Sequence, residues 1–206
     1  MPRQVDAAAT RRRILTASAE LMRRHGYAGT GIKAILTASG VPYGSLYYHF
    51  PGGKEEVGVA TLREGGEAYL ALVDALLPPG ADLPTAVREA FAGAAELVAS
   101  TDYVDACPVA TIAGEIASTS EPMREAAAVA FASWIDLIEQ RLGEAGIGTE
   151  RAHEVAVELL CLLEGAFLLA RTARDVAPLH ITGRAAEAAV RAALAGVGAG
   201  ATPISS

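Results

Sequence analysis

The stretch "TGIKAILTASGVPYGSLYYHFPGGKEEV", residues 30–57, decides how the 206-residue chain folds. Thr30 suits the N-cap of a short helix over about 31–39, in which Ile32, Ile35 and Leu36 share an inward face. Gly40 can adopt the left-handed conformation that ends such a helix, Val41 can plug the turn, and Pro42 suits the opening of another. That next helix carries "YGSLYYHF" and stops at Pro51-Gly52-Gly53. Upstream, the spacing of Ile14, Leu15, Ser18, Leu21 and Met22 predicts a longer helix over about 7–25, closed by Gly26. A supporting helix followed by two short ones across a tight glycine turn is the pattern of a helix-turn-helix unit, which points to DNA.

Charge supports that reading. Residues 1–54 hold eight lysines and arginines against Asp6 and Glu20, whereas the rest holds nine arginines against 22 acidic residues. The overall −7 therefore hides a short basic module, fit to meet a polyanion, joined to an acidic body. Three of the chain's eleven aromatic residues fall at Tyr47, Tyr48 and Phe50, beside His49 and a glycine-lysine pair. A nucleotide-binding P-loop would need glycine at 48 and serine or threonine at 55; Tyr48 and Glu55 stand there, with no strand before them.

Beyond Lys54 the pattern turns to long alanine-rich helices. Breaks and caps place them at about 54–77, 83–100 after Asp82, 109–118, 121–143 after Ser120 and 149–174 after Thr149. Pro178 marks a break, and Thr182 is expected to cap a last helix ending near Ala195, followed by a frayed tail "GVGAGATPISS". The expected fold is all-α, with about nine helices. An N-terminal three-helix helix-turn-helix domain (1–53) would precede a C-terminal helical bundle (54–206).

The segment "VAVELLCLLEGAFLLA", 155–170, is apolar almost all round and must be buried on two sides. Neighbouring helices of the same chain could do this, and so could a second subunit. With the small-residue strip of the last helix, it suggests an interface between two copies built from Leu159, Leu162, Leu163, Ala166, Val190 and Leu194. No apolar run is long enough for a membrane span, and no signal peptide is visible, so a cytoplasmic location is expected. Cys107 and Cys161 stand far apart, as do the four histidines, which argues for free thiols, no metal site and no cofactor. Neither a zinc-hydrolase nor a serine-hydrolase motif occurs, so no enzyme is expected.

At residues 30–57, and over about Ala7 to Val57 more broadly, the chain resembles the TetR family of transcriptional repressors. "PGG" before Lys54 and "ACPVA" at 106–110 are similar to its LmrA/YxaF-type branch. The resemblance implies a homodimer that binds a palindromic double-stranded operator and is released by a small effector. It implies DNA contacts from Thr30, Lys33, Tyr43, Gly44, Ser45, Tyr47, Tyr48, His49 and Lys54. Among these, Thr30 and Lys54 would meet phosphate, Tyr43, Gly44 and Ser45 would face base edges, and Tyr48 and His49 would reach phosphates or a thymine methyl. Tyr47 would combine a packed ring with a hydroxyl at the backbone, while Leu46 and Phe50 would lock the helix onto its neighbours. Relatives commonly carry lysine or arginine where this chain has Tyr43, and alanine where it has Leu36.

The effector would occupy the acidic body. Candidate pocket residues are Tyr69, Phe91, Tyr103, Cys107, Met123, Phe131, Trp134, Phe167 and Arg171, with Trp134 and Phe167 foremost, because large rings in an alanine-rich bundle pack unevenly. The scarcity of basic groups there favours an apolar or aromatic ligand over an anionic one. The alternative is a small-molecule-sensing helical protein whose DNA contacts are vestigial.

Overall fold

A computed structural model describes residues 2–105 and 107–199, and within them every regular element is helical. The helices are α1 (Pro2–His25), α2 (Ile32–Ser39), α3 (Tyr43–His49), α4 (Gly53–Leu76), α5 (Leu83–Ser100), α6 (Pro108–Ile116), α7 (Glu121–Glu144), α8 (Thr149–Ala173) and α9 (Ala177–Ala199). The described residues divide into two compact units, one within Met1–Ala68 plus Cys107–Ala130 and the other within Tyr69–Ala106 plus Phe131–Ser206.

In the first unit, α2, α3 and α6 pack on α1. The apolar face of α1 is buried as its spacing requires: Ile14, Leu15 and Met22 are sealed in, and the Ser18 hydroxyl donates to the Ile14 carbonyl at 2.7 Å. Gly40 closes α2 with φ +63° and donates its N–H to the Leu36 carbonyl, a conformation that costs a side-chain-bearing residue about 1–2 kcal/mol. The guanidinium of Arg13 then donates to the Ser39 and Gly40 carbonyls, satisfying the exposed end of α2 from outside.

The helix start differs from expectation by one residue. Gly31 is the N-cap of α2, while the Thr30 hydroxyl is buried and donates back to the Gly26 carbonyl at 2.8 Å. The turn between α1 and α2 is held from α6. One oxygen of Glu115 accepts the Tyr27 N–H at 3.2 Å, and the other accepts the Ala28 N–H at 2.8 Å. Gly26, at φ +70°, leaves room for that carboxylate: a Cβ there would stand 1.8 Å from Glu115 Oε1.

In the second unit, α9 lies against α5 and α8. Its core gathers Val87, Phe91, Trp134, Ile138, Val155, Leu159, Phe167, Leu179 and Val190. Arg141, only 8% exposed, donates from Nε to the Leu77 carbonyl at 2.8 Å and pairs with Asp74 and Glu144. It thereby caps the carbonyl end of α4, which Pro78 and Pro79 prevent from continuing. The last helix opens earlier than expected. Pro178 sits in its first turn, where a missing N–H costs nothing; Asp175 accepts the Ala177 N–H, and Thr182 bonds inside the helix to the Pro178 carbonyl. It also runs on to Ala199, so the expected tail lies partly in α9 and otherwise outside the described residues.

Candidate nucleic-acid interface and apolar cavity

The shortness of α3 splits its side chains into two faces. Leu46 and, just after the helix, Phe50 are sealed into the first unit, with Arg11 over the Phe50 ring. Tyr43, Tyr47 and Tyr48 point outward, and Tyr43 and Tyr48 are 64% and 79% exposed. Such exposure of large rings, next to one another in a chain poor in aromatics, asks for a partner that covers them.

The outward rings are ordered among themselves. Tyr43 and Tyr47 lie 4.8 Å apart between centroids, and Tyr48 meets His49 edge-on at 5.1 Å. A hydrogen bond with Tyr43 pushes the Tyr47 phenol above its ordinary value, so it is neutral at neutral pH. Gly44 and Gly31 face open space, where an added Cβ would meet nothing within 4 Å. Lys33 is exposed on α2, and Ser45 and His49 are half-buried at the margin of the face. This surface presents hydroxyls, glycine backbone and a lysine, all fit for phosphate and base edges.

Two expected contacts are placed differently. The Thr30 hydroxyl is spent inside the α1–α2 turn, so its side chain is unavailable to a phosphate. Lys54 is half-buried, with Nζ 4.2 Å above the Tyr27 ring and 3.5 Å from the Ala28 carbonyl, so its ammonium braces the same turn. Sequence reasoning missed Arg13 and Glu115, which hold the ends of α2 and its preceding turn; a charge pattern does not show which carbonyl or amide a side chain will find.

The second unit encloses a cavity of about 310 Å³ among α4, α5, α7 and α8. Four expected residues, Tyr69, Phe91, Trp134 and Phe167, line it. Trp134 stacks obliquely on Tyr69 at 5.2 Å, and Phe131 stands edge-on behind it at 5.3 Å without reaching the cavity wall. The other expected residues are elsewhere. Met123 is buried against Gly58 in the first unit, and Cys107 is the N-cap of α6, its sulfur accepting the Ala110 N–H at 3.3 Å. Arg171 donates to the Tyr103 carbonyl, and Arg174 covers the Tyr103 ring; Tyr103 itself sits at φ +62° in a turn. The rest of the wall comes from residues not foreseen, chiefly Leu72, Leu76, Leu97, Leu160 and Glu164.

The expected dimer residues divide between the core and its margin. Leu159, Ala166 and Val190 are buried within the chain itself, and Leu162, Leu163 and Leu194 are half-buried; Leu159 and Leu163 line the cavity. The outward apolar residues of α8 are Cys161, Leu168 and Leu169, with Leu168 68% exposed, and α9 adds Ile181 and Val197. No helix among the described residues is long and apolar enough to cross a membrane.

A supporting helix, a glycine turn and a short helix with a solvent-facing tyrosine row define a helix-turn-helix transcriptional regulator, here with a helical unit that holds an apolar cavity. The chain belongs to the TetR family: residues 14–60 match the family of bacterial regulatory proteins, tetR family, and residues 84–185 match the LmrA/YxaF-like transcriptional regulator C-terminal domain. It is 33% identical to the HTH-type transcriptional regulator LmrA of Bacillus subtilis (strain 168) over 174 residues, 84% of this chain and 93% of that one. Its fold matches the crystal structure of reduced Escherichia coli NemR with a TM-score of 0.74 at 26% identity, over 89% of this chain and 97% of that one. It also matches a regulatory protein TetR from Rhodobacter sphaeroides with a TM-score of 0.76 at 24% identity, over 86% and 97%. Members of the family regulate transcription rather than catalyse; they bind DNA, generally as dimers and with small-molecule effectors.

Proposed function

We propose that the protein is a homodimeric repressor that binds a palindromic operator through α3 and is released when an apolar or aromatic effector enters the cavity. The observation that carries the DNA half is the division of α3: Leu46 and Phe50 anchor it, and Tyr43, Tyr47 and Tyr48 are left outside with Gly44 open beside them. In this reading residues 1–53 do the binding, and 54–206 sense and dimerise. Tyr43, Gly44 and Ser45 face base edges, while Tyr47, Tyr48, His49 and Lys33 meet the backbone and Lys54 braces the turn beside them. Thr30 acts through the turn it locks. With no guanidinium at position 43, sequence preference comes from apolar contact with thymine methyls and from DNA shape.

The dimer forms through the exposed apolar faces of α8 and α9, around Leu168, Leu169 and Ile181. Two recognition helices must then stand about 34 Å apart to enter successive major grooves, so a small movement suffices to abolish binding. The protein works in the cytoplasm, where its operator and effector meet.

Footprinting on the DNA flanking the protein's own gene tests this. Protection of a palindrome is expected, with affinity falling steeply as salt rises, because lysines and arginines displace counterions from phosphate. No protected palindrome at low salt would overturn the repressor reading and leave a ligand-binding protein whose DNA contacts are vestigial. Tyr48→Ala should weaken binding to all sequences alike, while Tyr43→Ala should change the preference among them.

A further inference from the structure

The turn between α1 and α2 places the start of α2, yet α2 brings no side-chain cap of its own. Its N-cap is Gly31, which has no side chain to offer. What fixes the turn comes from helices far along the chain. From α6, the two oxygens of Glu115 take the consecutive amides of Tyr27 and Ala28, at 3.2 and 2.8 Å. From the first turn of α4, Lys54 sets its ammonium 4.2 Å over the Tyr27 ring and 3.5 Å from the Ala28 carbonyl. Ala28 is thus held at its N–H by an anion and at its C=O by a cation.

Glu115 is exposed, on the last turn of α6, so burial does not force these bonds; the alignment of two donors on its two oxygens does. Gly26 provides the seat, since a Cβ there would stand 2.8 Å from Glu115 Cδ. The side chain also carries a negative charge in the unit that has to approach a polyanion, where charge alone opposes binding.

We propose that Glu115 is a positioning residue for DNA recognition. By clamping the α1–α2 turn it sets the start of α2 and, through the tight turn at Gly40, the bearing of α3, without touching DNA itself. This rests on the reading of α3 as the DNA-binding helix, and it extends the recognition machinery beyond residues 1–53 to α6, which belongs to the same compact unit.

Charge and positioning predict opposite signs when the carboxylate is removed: loss of an anion tightens binding to DNA, and loss of the clamp weakens it. Binding of the full chain to a fluorescently labelled duplex from the DNA flanking its own gene is followed by anisotropy at low and moderate salt. Glu115→Gln keeps the length of the side chain but leaves one acceptor oxygen and turns an amide donor toward a backbone N–H. It should bind about fivefold or more weakly than the unaltered protein, and Glu115→Ala about tenfold or more weakly, as the loss of one and two charge-assisted bonds allows. The slope of affinity against salt should stay the same, because no phosphate contact is removed. In the unaltered protein the Tyr27 and Ala28 amides should exchange slowly with deuterium, and in both variants fast, while circular-dichroism melting stays within a few degrees.

If Glu115→Gln binds as tightly as the unaltered protein or more so, the positioning role is overturned and DNA binding stands. Weaker binding matched by a collapse of the melting curve would make Glu115 a residue of the fold and overturn the role as well. Freely exchanging Tyr27 and Ala28 amides in the unaltered protein overturn it whether or not the variants fold. If the unaltered protein does not bind the duplex at low salt, the DNA reading falls and the role of Glu115 falls with it.

Discussion

The recognition helix and the cavity wall both spend aromatic residues in a chain that has few, and they spend them in opposite ways. On α3 the rings that carry hydroxyls turn outward, and the ring without one, Phe50, turns inward two positions later. In the second unit Phe91, Phe167 and Trp134 are buried around the cavity, and the one tyrosine of the wall, Tyr69, is half-buried. The phenol hydroxyl decides: it keeps a solvent-exposed ring hydrated until a partner covers it, whereas a bare ring is held inside by the area it removes from water. One surface is left open to solvent, and the other borders an apolar space of about 310 Å³.

The largest effect expected from breaking this contrast is at Phe50. Phe50→Ala should cost about 3–5 kcal/mol, the range for emptying a buried aromatic site, and it should be seen as a lowered midpoint in chemical denaturation. Tyr48→Ala, two positions away, should change stability by about 0.5 kcal/mol or less, because its ring touches mainly solvent, while DNA binding weakens. If Tyr48→Ala proved as destabilising as Phe50→Ala in chemical denaturation, the outward face would be part of the fold rather than a binding surface.

Next in size is Arg141→Ala in the second unit. The substitution strands the Leu77 carbonyl at the end of α4 and should cost about 2 kcal/mol, the scale of a hydrogen bond to a charged group. Its contribution is charged to that carbonyl and not to the ion pair, since Asp74 is mostly exposed. Urea denaturation checks it, and an unchanged midpoint would mean that water replaces the guanidinium at no cost. Gly40→Ala in the first unit follows at about 1–2 kcal/mol, from forcing a Cβ into the left-handed region. A stabilising outcome there would show that the turn relaxes to another conformation.

These sites differ in how far the sequence alone discloses them. Gly40, Val41, Pro42 and the two faces of α3 are local: each follows from chain geometry within a few residues, and the structure places them where spacing predicts. The cavity draws on four helices, and only its large rings were foreseen; leucines and alanines read alike whether they face a neighbour or an empty space. The same ambiguity holds for α8. A helix that is apolar all round carries no period to tell inside from outside, so spacing does not disclose that Leu159 is core and Leu168 exposed. Thr30 shows a third limit. Its type fits an N-cap, but its hydroxyl finds a carbonyl four residues back, and the cap passes to Gly31.

The smallest effect concerns the outward tyrosines alone. The bond with Tyr43 holds the Tyr47 phenol above its ordinary value, so the folded chain favours the protonated form. Whatever this bond contributes to the order of the face is complete at neutral pH, below the unfolded-chain value of about 10. It is lost as pH rises through the folded value, when the proton that joins the two rings is gone. Tyr43→Phe should therefore return the Tyr47 titration to the ordinary range, observed by NMR of ring-labelled tyrosine. Tyr27, raised by burial and by Glu55, should stay high in the same spectra and serve as the internal control. A Tyr47 titration unmoved by Tyr43→Phe would mean that the two rings merely lie side by side. The order of the recognition face would then come from packing, as in the cavity, and the distinction drawn between hydroxyl-bearing and bare rings would hold for hydration only.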